Sequence, residues 1–491
     1  MKELLLGVDI GTSGCKAALF IPDGTVCAQA TVEYSVDYPH PGWTQQNPDD
    51  WWHAACAAVR QVIAESRVSA ADIAGVGVDG QSWSAIAVDA VGHVLTPTPI
   101  WTDARADDLC RTIPEDIREA IFRCSGNPLQ PGYTLPKILW YRQHQPDVYT
   151  RARWILQSNS FMVYRLTGVV SQDLSQGYGL GCFDMRRRCW DMTLAERLGV
   201  RPELLPPLYD CHAVVGTVTA DAAAATGLAA GTPVVAGGLD AACGTLGAGV
   251  VSAGQTQEQG GQAGGMSICV DKYAADPRLI LGCHVVPGKW LLQGGTTGGG
   301  GSLKWLRSTC CPELSYQDMS DLAAQAPAGC DGLIFLPYMA GERSPLWNPA
   351  AKGVFFGLDY AKTRGHMIRA VMEGVAFSLR HNLETAASAG AKFNALRAMG
   401  GSANSHIWTQ IKSDVTGCPI EVPASDTATT LGAAILAGVG TGIYTDFEEA
   451  ARQTVTLLRR HEPDPTAAPT YDTAYARYLE LYDRLAPMMQ P

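Results

Sequence analysis

Leu4 to Leu19, LLLGVDIGTSGCKAAL, is an apolar segment holding one acid, Asp9, followed by the turn Gly11-Thr12-Ser13-Gly14 and a second apolar segment. Period-two alternation puts Asp9 on the opposite strand face from Val8 and Ile10, and the whole stretch predicts a tight β-hairpin. The turn gathers backbone N–H groups with two hydroxyls, a set that can hold phosphate, and the acid beside it can hold a metal. An ordinary glycine-rich hairpin satisfies the same residues, because short glycine motifs are common. The rest of the chain has to decide.

At 491 residues the chain exceeds what one core organises, so two large domains or three smaller ones are expected. A hydrophobic content of 46% with 17% charged residues is that of a well-packed chain and not a disordered one. The net charge of -11 leaves no basic surplus for a nucleic-acid partner. The run Arg186-Arg187-Arg188 reads as a solvated loop. No apolar run reaches the length of a membrane span, and the first strand pattern begins at Leu4, so neither span nor leader is expected and the cytoplasm is the expected compartment. The 15 cysteines include no C-x-x-C pair, which argues against a zinc site or a disulfide framework.

Pro48 to Ser66 carries apolar residues at helical spacing behind an acidic first turn. It leads to a buried-strand pattern at Ile73 to Val78, the polar loop Asp79 to Ser84, and a further strand ending at Asp89. Strand, helix, strand implies a right-handed crossover in a layered α/β domain. Trp101, Asp103 and Arg105 then stand at the mouth of a helix, a trio suited to a polyhydroxylated ligand. On the residues alone, a Trp anchoring the helix start beside a surface ion pair is the simpler account. Leu135 to Tyr141, with Pro136 and Lys137, reads as another helix start, and spacing gives it no chemistry.

Pro233 to Val250 is an apolar strand ending at Gly237-Gly238, with Asp240 just past the turn and a small-residue helix behind it. An acid there can take a proton from a hydroxyl in a cleft. A helix N-cap fits the same place. Glu258 to Ile268 repeats the opening plan as a degenerate internal duplication, so that two glycine turns would grip a phosphate chain from both sides. Gly294 to Gly301 meets a helix with Ser302 available as N-cap, a helix start suited to anions. Later come a helix at Met367 to Gly390, a strand at Leu396 to Met399, a helix from His406, a strand at Pro419 to Val422 and a helix at Leu431 to Gly438. A loop at His461 to Tyr471 precedes a last amphipathic helix. The alternation repeats that of the first half, which puts the domain boundary near Gly247 to Ala253 and gives domains 1–247 and 248–491.

Taken together, these motifs resemble those of the FGGY family of carbohydrate kinases, in the actin, Hsp70 and hexokinase superfamily, and most closely its xylulose-phosphorylating members. The match is nearly end to end and in order. Gly7 to Leu19 resembles the first phosphate hairpin, Gly42 to Trp52 the GW-x-EQ-x-P…WW segment and Trp101 to Arg105 the W-x-D-x-R segment. Gly341 to Pro345 resembles GER[ST]P, Gly353 to Glu373 the long C-terminal signature, Gly400 to Ser405 the adenosine loop and Leu431 to Ala434 the LGAA helix.

The resemblance implies two actin-like, ribonuclease H-like α/β domains with a cleft between them, ATP and Mg²⁺ as cofactors, a sugar or polyol substrate, no membrane partner and a homodimer by default. It implies Asp240 as catalytic base, and Asp9 with Asp240 at the metal. Gln81, Ser82, Trp83, Trp101, Asp103, Arg105 and Asp240 fall to the substrate. Gly11, Thr12, Ser13, Lys16, Gly261, Gln262, Gly264, Gly300, Lys304, Gly400, Gly401, Asn404 and Ser405 fall to the nucleotide.

Two departures matter. Where these members usually carry Gln-Met-His-Gly, this chain has Gln81-Ser82-Trp83-Ser84, and an indole accepts no hydrogen bond; the Asn that often follows the catalytic Asp is Ala241. Another ketose or a linear polyol therefore stays open as substrate. The second turn is Gly261-Gln262-Ala263-Gly264, without the usual hydroxyls, and Thr296 with Thr297 is expected to compensate. A sugar-binding pseudokinase or sensor is the reading of a different class. An actin-like or Hsp70-like ATPase would leave the motifs from Trp43 to Arg105 unexplained.

Overall fold

The computed structural model describes residues 3–424 and 427–489. The opening stretch forms β1 (Leu4–Ile10) and β2 (Gly14–Phe20), an antiparallel hairpin extended by β3 (Val26–Glu33). Helix α1 (Pro48–Ser66) starts where the Asn47 side chain accepts from the Asp49 amide and Pro48 needs no donor, and it crosses to β4 (Ile73–Gly80), parallel to β1. Helix α2 (Thr134–His144), β5 (Val214–Thr217), β6 (Pro233–Val235), β7 (Gly238–Leu239) and α3 (Asp240–Gly247) complete this half. The sheet order is β5-β6-β4-β1-β2-β3, and β7 pairs with β4 beyond β6.

The second half begins with β8 (Gln255–Gly260) and β9 (Gly264–Val270), another antiparallel hairpin, followed by β10 (Ile280–Cys283) and β11 (Trp290–Thr296). Helices α4 (Gly300–Cys310), α5 (Tyr316–Gln325) and α6 (Arg364–Ser388) precede β12 (Ala395–Met399), parallel to β8. Helix α7 (His406–Thr416), β13 (Ile420–Pro423), α8 (Ala428–Thr441), β14 (Leu457–His461) and α9 (Ala468–Met489) follow. The order is β10-β11-β9-β8-β12-β13-β14. Both sheets thus set a hairpin's first strand parallel to the strand that returns from a helix, as a duplication requires.

Alternation divides the first sheet between two cores. Leu6, Val8, Ile10, Ala17 and Leu19 pack with Trp51, Ala55, Val59 and Val62 of α1. Leu5, Ala18 and Phe20 join Leu431, Ala434 and Ile435 of α8. Helix α8, from the second half, therefore closes on the first half's sheet. It lies so near that a Cβ on Gly7 would stand 1.9 Å from the Thr430 carbonyl oxygen and one on Gly77 1.9 Å from that of Ala433. Its Gly432 meets Cys243 of α3 equally closely, and Thr245 of α3 donates to Gln257 of β8 at 2.8 Å. Two small-residue helices thus bridge the two sheets.

The Arg186 to Arg188 turn is less free than its sequence implied. Arg186 lies over the Tyr273 ring at 4.1 Å and Arg188 over Trp290 at 4.8 Å, which ties the first half to the second. Helix α9 begins at Ala468, inside the stretch expected as loop. All 15 cysteines are free, and among the described residues no helix is long and apolar enough to cross a membrane.

Candidate active site

Register places Lys16 and Asp79 directly beside Asp9 on the neighbouring strands, and Gly238 beside Asp79. A row of charged side chains therefore crosses three strands at the end of the sheet that α8 covers. Asp240 stands at its far side as the first residue of α3; Leu239 is the N-cap, so Asp240 is not the cap its position allowed. Asp9 Oδ2 accepts from Thr429 of α8 at 3.1 Å, while its Oδ1 is buried without a partner. Asp240 Oδ1 accepts from the Ala241 amide at 2.6 Å.

Burial raises the proton affinity of all three acids, and the charge of Asp9 adds to it at Asp79 and Asp240. Burial, then the charge of Asp9, pushes the Asp240 pKa up to about 7. Burial also raises Asp9, partly offset by hydrogen bonds with Asp79 and Thr429 and by Lys16. Asp79 is raised furthest above its ordinary value, by burial and by Asp9. It is fully buried and both its oxygens lack a geometrically sound partner. The sequence reading passed over Asp79, although an acid closing a buried strand in register with Asp9 was the available signal.

The donor set suits a hard cation such as Mg²⁺, since Asp9 offers an orphaned carboxylate oxygen. Among the described residues no group of three His, Cys, Asp or Glu side chains gathers to hold a metal alone. These residues would supply only part of such a shell.

The first turn is wired to residues that the family resemblance assigns to the substrate. Trp101 Nε1 donates to Thr12 Oγ1 at 3.0 Å, Gln46 Nε2 to the Thr12 carbonyl at 2.8 Å, and Gln81 Nε2 to Gln46 Oε1 at 2.9 Å. Ser13 stays exposed at the tip. Asp103 and Arg105 do not form a surface pair: their side chains are 0% and 2% exposed. Asp103 accepts from the Thr44 amide at 2.6 Å and from Arg105, whose guanidinium also reaches Gln45 and lies 4.1 Å over the Trp43 ring. This pair organises the loop behind Trp101.

Ser82 and Trp83 are half-buried in the loop after β4, and Trp83 takes a left-handed φ of 60°. Its ring packs 4.5 Å from Tyr133 and 6.0 Å from Tyr178. Its indole N–H, which faces Tyr178, and the Tyr133 hydroxyl are both buried without a geometrically sound hydrogen bond. Behind them lies a network that no sequence motif announced. Asp173 accepts from Asn159 at 3.0 Å and from Ser175, and the Ser175 hydroxyl in turn accepts from the Leu239 amide at 2.8 Å. Gln176 Oε1 accepts from the Trp83 amide at 3.3 Å, so one buried cluster holds both Trp83 and the residue before Asp240.

In the second half a cavity of about 530 Å³ is walled by Gly261, Gln262, Gly300, Lys304, Gly401, Asn404 and Ser405. Gly264 and Gly400 lie outside that wall. Gly260, Leu303, Tyr316, Gln317, Ser320, Ser402 and Trp408, none of them among the residues assigned to the nucleotide, complete it. A Cβ on Gly401 would meet nothing within 4 Å, so packing does not demand this glycine, and the space it leaves belongs to the cavity. Gly400 differs, with a φ of 85° and the Gly260 carbonyl 2.9 Å from a would-be Cβ. Beneath the floor, buried Lys412 donates to Glu258 at 2.6 Å and to Ser402 at 2.8 Å.

Two expectations fail here. Ser302 is not the N-cap of α4; Gly299 is, and the Gly300 and Gly301 amides donate to the carbonyls of Gly261 and Gln262 at 2.8 and 2.9 Å. Those amides hold the second turn and are not free for an anion. Nor are the threonines free to replace the missing hydroxyls. Thr296 donates to Glu342 at 2.5 Å and Thr297 to the Gly341 carbonyl, because the GERSP loop brings a carboxylate and a carbonyl against them.

Comparison with known proteins adds to this geometry. The family models described as the FGGY family of carbohydrate kinases match residues 4–247 for the N-terminal domain and 277–441 for the C-terminal domain. A xylulose kinase of Bacillus subtilis (strain 168) is 30% identical over 482 residues, covering 98% of this chain and 97% of its own. An L-xylulose/3-keto-L-gulonate kinase of Escherichia coli (strain K12) is 29% identical, covering 98% and 97%. The crystal structure of a xylulose kinase from Rhodospirillum rubrum superposes with a TM-score of 0.92 at 31% identity, covering 99% of each chain.

Proposed function

The chain belongs to the FGGY family of carbohydrate kinases, and from that premise we propose that it transfers the γ-phosphoryl group of ATP to a hydroxyl of a small sugar, a ketopentose such as xylulose. The observation that carries the reading is Asp240, which begins α3 beside the charged row with its pKa raised to about 7. A base with that pKa is deprotonated often enough at neutral pH to act and basic enough to draw a proton from an attacking hydroxyl. Phosphoryl transfer asks the protein mainly for positioning and charge neutralisation. In this reading Asp240 accepts the hydroxyl proton, and Asp9 with Asp240 contributes oxygens to the metal shell. The turns at Gly11 and Gly261 hold the phosphates by backbone amides, with Thr12, Ser13 and Lys16 on one side and Gln262 on the other. Lys304, Asn404 and Ser405 line the nucleoside end. Bound Mg²⁺ would supply neutralisation of the phosphate charge.

Trp83 offers the sugar a donor where a histidine would also accept, and Ala241 offers no amide. The acceptor's hydroxyl pattern is therefore tuned differently, which keeps another ketose or a linear polyol in view. The reading includes a reducing, cytoplasmic setting, with which 15 free cysteines agree, and a homodimer as default. A sugar sensor with weak kinase activity draws on one observation, the second turn without available hydroxyls.

The test is ATP turnover with Mg²⁺ against D- and L-ketoses, aldoses and polyols, on wild type and Asp240→Asn together. Turnover confined to one ligand class and largely lost in Asp240→Asn is expected. No turnover on any ligand, with sugar still raising the melting temperature, would favour the sensor.

A further inference from the structure

Thr134, Lys137 and Tyr141 are spaced by three and four residues, so α2 turns all three to one side. That side meets the loop after β4. Thr134 Oγ1 donates to the Ser84 carbonyl at 3.3 Å, Lys137 Nζ to that of Trp83 at 2.8 Å, and Tyr141 to that of Ala85 at 3.0 Å. Lys137 reaches further than its neighbours. Its ammonium also donates to the carbonyls of Ile100 at 2.8 Å and Gly132 at 2.7 Å. Three donors thus meet three carbonyls, on a side chain that is 0% exposed and makes no ion pair among those of the described residues.

A buried ammonium without a carboxylate costs free energy that an apolar side chain would not. Its position shows what it does. The three carbonyls belong to Trp83 itself, to the residue before Trp101 and to the residue before Tyr133. These aromatic residues sit on three separate segments, and two of them carry the buried, unpaired donors described above. Gly132 shows how tightly the segments meet, since a Cβ there would stand 2.6 Å from the Trp101 carbonyl oxygen. We infer that Lys137 is a positioning residue, which sets the three aromatic segments of the sugar site at fixed spacing and thereby governs which acceptor is bound, without touching it. The inference rests on the carbohydrate-kinase reading for the words "sugar site".

The experiment compares wild type, Lys137→Met and Lys137→Arg by amide hydrogen exchange and by steady-state kinetics. In Lys137→Met, exchange is expected to rise at least tenfold around residues 82–85, 100–103 and 132–134, and to stay within twofold at residues 260–264 and 400–405. The KM for D-xylulose, or for whichever panel sugar the wild type prefers, should rise tenfold or more while the KM for ATP moves less than twofold. Lys137→Arg keeps the charge, but a planar fork cannot address three converging carbonyls, so an intermediate, sugar-only shift is expected. If the methionine variant fails to fold, the arginine variant carries the same contrast. A folded variant with unchanged exchange, a uniform rise in exchange, or parallel shifts in both KM values would overturn the inference. A wild type silent on every sugar would fail the kinase reading separately, and the exchange pattern would then decide the role of Lys137 by itself.

Discussion

The turns at Gly11 to Gly14 and Gly261 to Gly264 occupy the same place in two sheets of like topology, yet they are built by opposite means. The first carries hydroxyls and, beyond the backbone bonds of Gly11 to Gly14 and Tyr34 to Ser13, is tied down by side chains, with Trp101 and Gln46 donating to Thr12. The second has no hydroxyl and is held by backbone, the amides of Gly300 and Gly301 against the carbonyls of Gly261 and Gln262. The difference follows from what lies behind each. The acid row and the aromatic loops surround the first, where chemistry needs polar groups with adjustable orientation. An open cavity and the helix start of α4 surround the second, where a ligand needs clearance. One hairpin plan thus serves both halves, and in the proposed kinase it gives a reactive turn on one side and a receiving turn on the other.

The largest break in this comparison is expected at the reactive side. Asp240→Asn should lower kcat by roughly 10² to 10⁴-fold, the range for removing a positioned general base. Because the pKa of Asp240 is raised to about 7, the deprotonated form appears as pH climbs through that value. Wild-type kcat/KM should therefore rise with pH and level off above neutrality, and a flat profile would remove Asp240 as the base.

On the receiving side, Lys412→Met strands the Glu258 carboxylate, with 4% of its side chain exposed, and should cost about 3–5 kcal/mol in denaturant unfolding. A smaller and purely functional effect should come from Gly401→Val, which fills the cavity without a packing clash. Its KM for ATP should rise by an order of magnitude with the melting temperature kept. Equal loss of sugar and ATP affinity would show that the cavity is not a separate receiving site.

Ala263→Ser returns one hydroxyl to the second turn. A new hydrogen bond to a ligand is worth about 0.5–1.5 kcal/mol, so the KM for ATP should fall two- to tenfold. No change would mean that backbone contacts alone suffice there. On stability, an effect that depends on pH is expected from Asp79→Asn. Folding raises the Asp79 pKa above its ordinary value of 3.8, so the wild type takes up a proton on folding. That contribution is fully present below 3.8 and is lost as pH rises through the folded value. The variant should therefore gain melting temperature over wild type at pH 7, with the gap narrowing toward pH 4.

Elements whose pattern is local were legible in the sequence: the opening hairpin from period-two alternation, α1 from its helical spacing behind an acidic first turn, and the helix at Asp240 from a glycine turn. What escaped was decided by partners distant in sequence. Asp103 and Arg105 read as a surface pair because nothing nearby announces that Trp43 and Trp140 cover the guanidinium. The run at Gly294 to Gly301 read as leading into an anion site because the true acceptors of its last amides, Gly261 and Gln262, lie a hairpin away. Asp173 and Asp79 carried no motif, since their meaning lies in what they face. Lys137 was quoted in a helix start and assigned nothing, because its three acceptors come from three segments.

In the proposed kinase, the hydrogen bond from Trp101 to Thr12 would join the acceptor side to the phosphate side. An acceptor that turned the indole would then also disturb the Thr12 hydroxyl, and the two ligands would be thermodynamically linked through one side-chain contact. Reciprocity then requires that nucleotide change the affinity for acceptor by the same factor that acceptor changes the affinity for nucleotide. An acceptor lacking the group that Trp101 senses would be held, yet would leave the donor side unprimed.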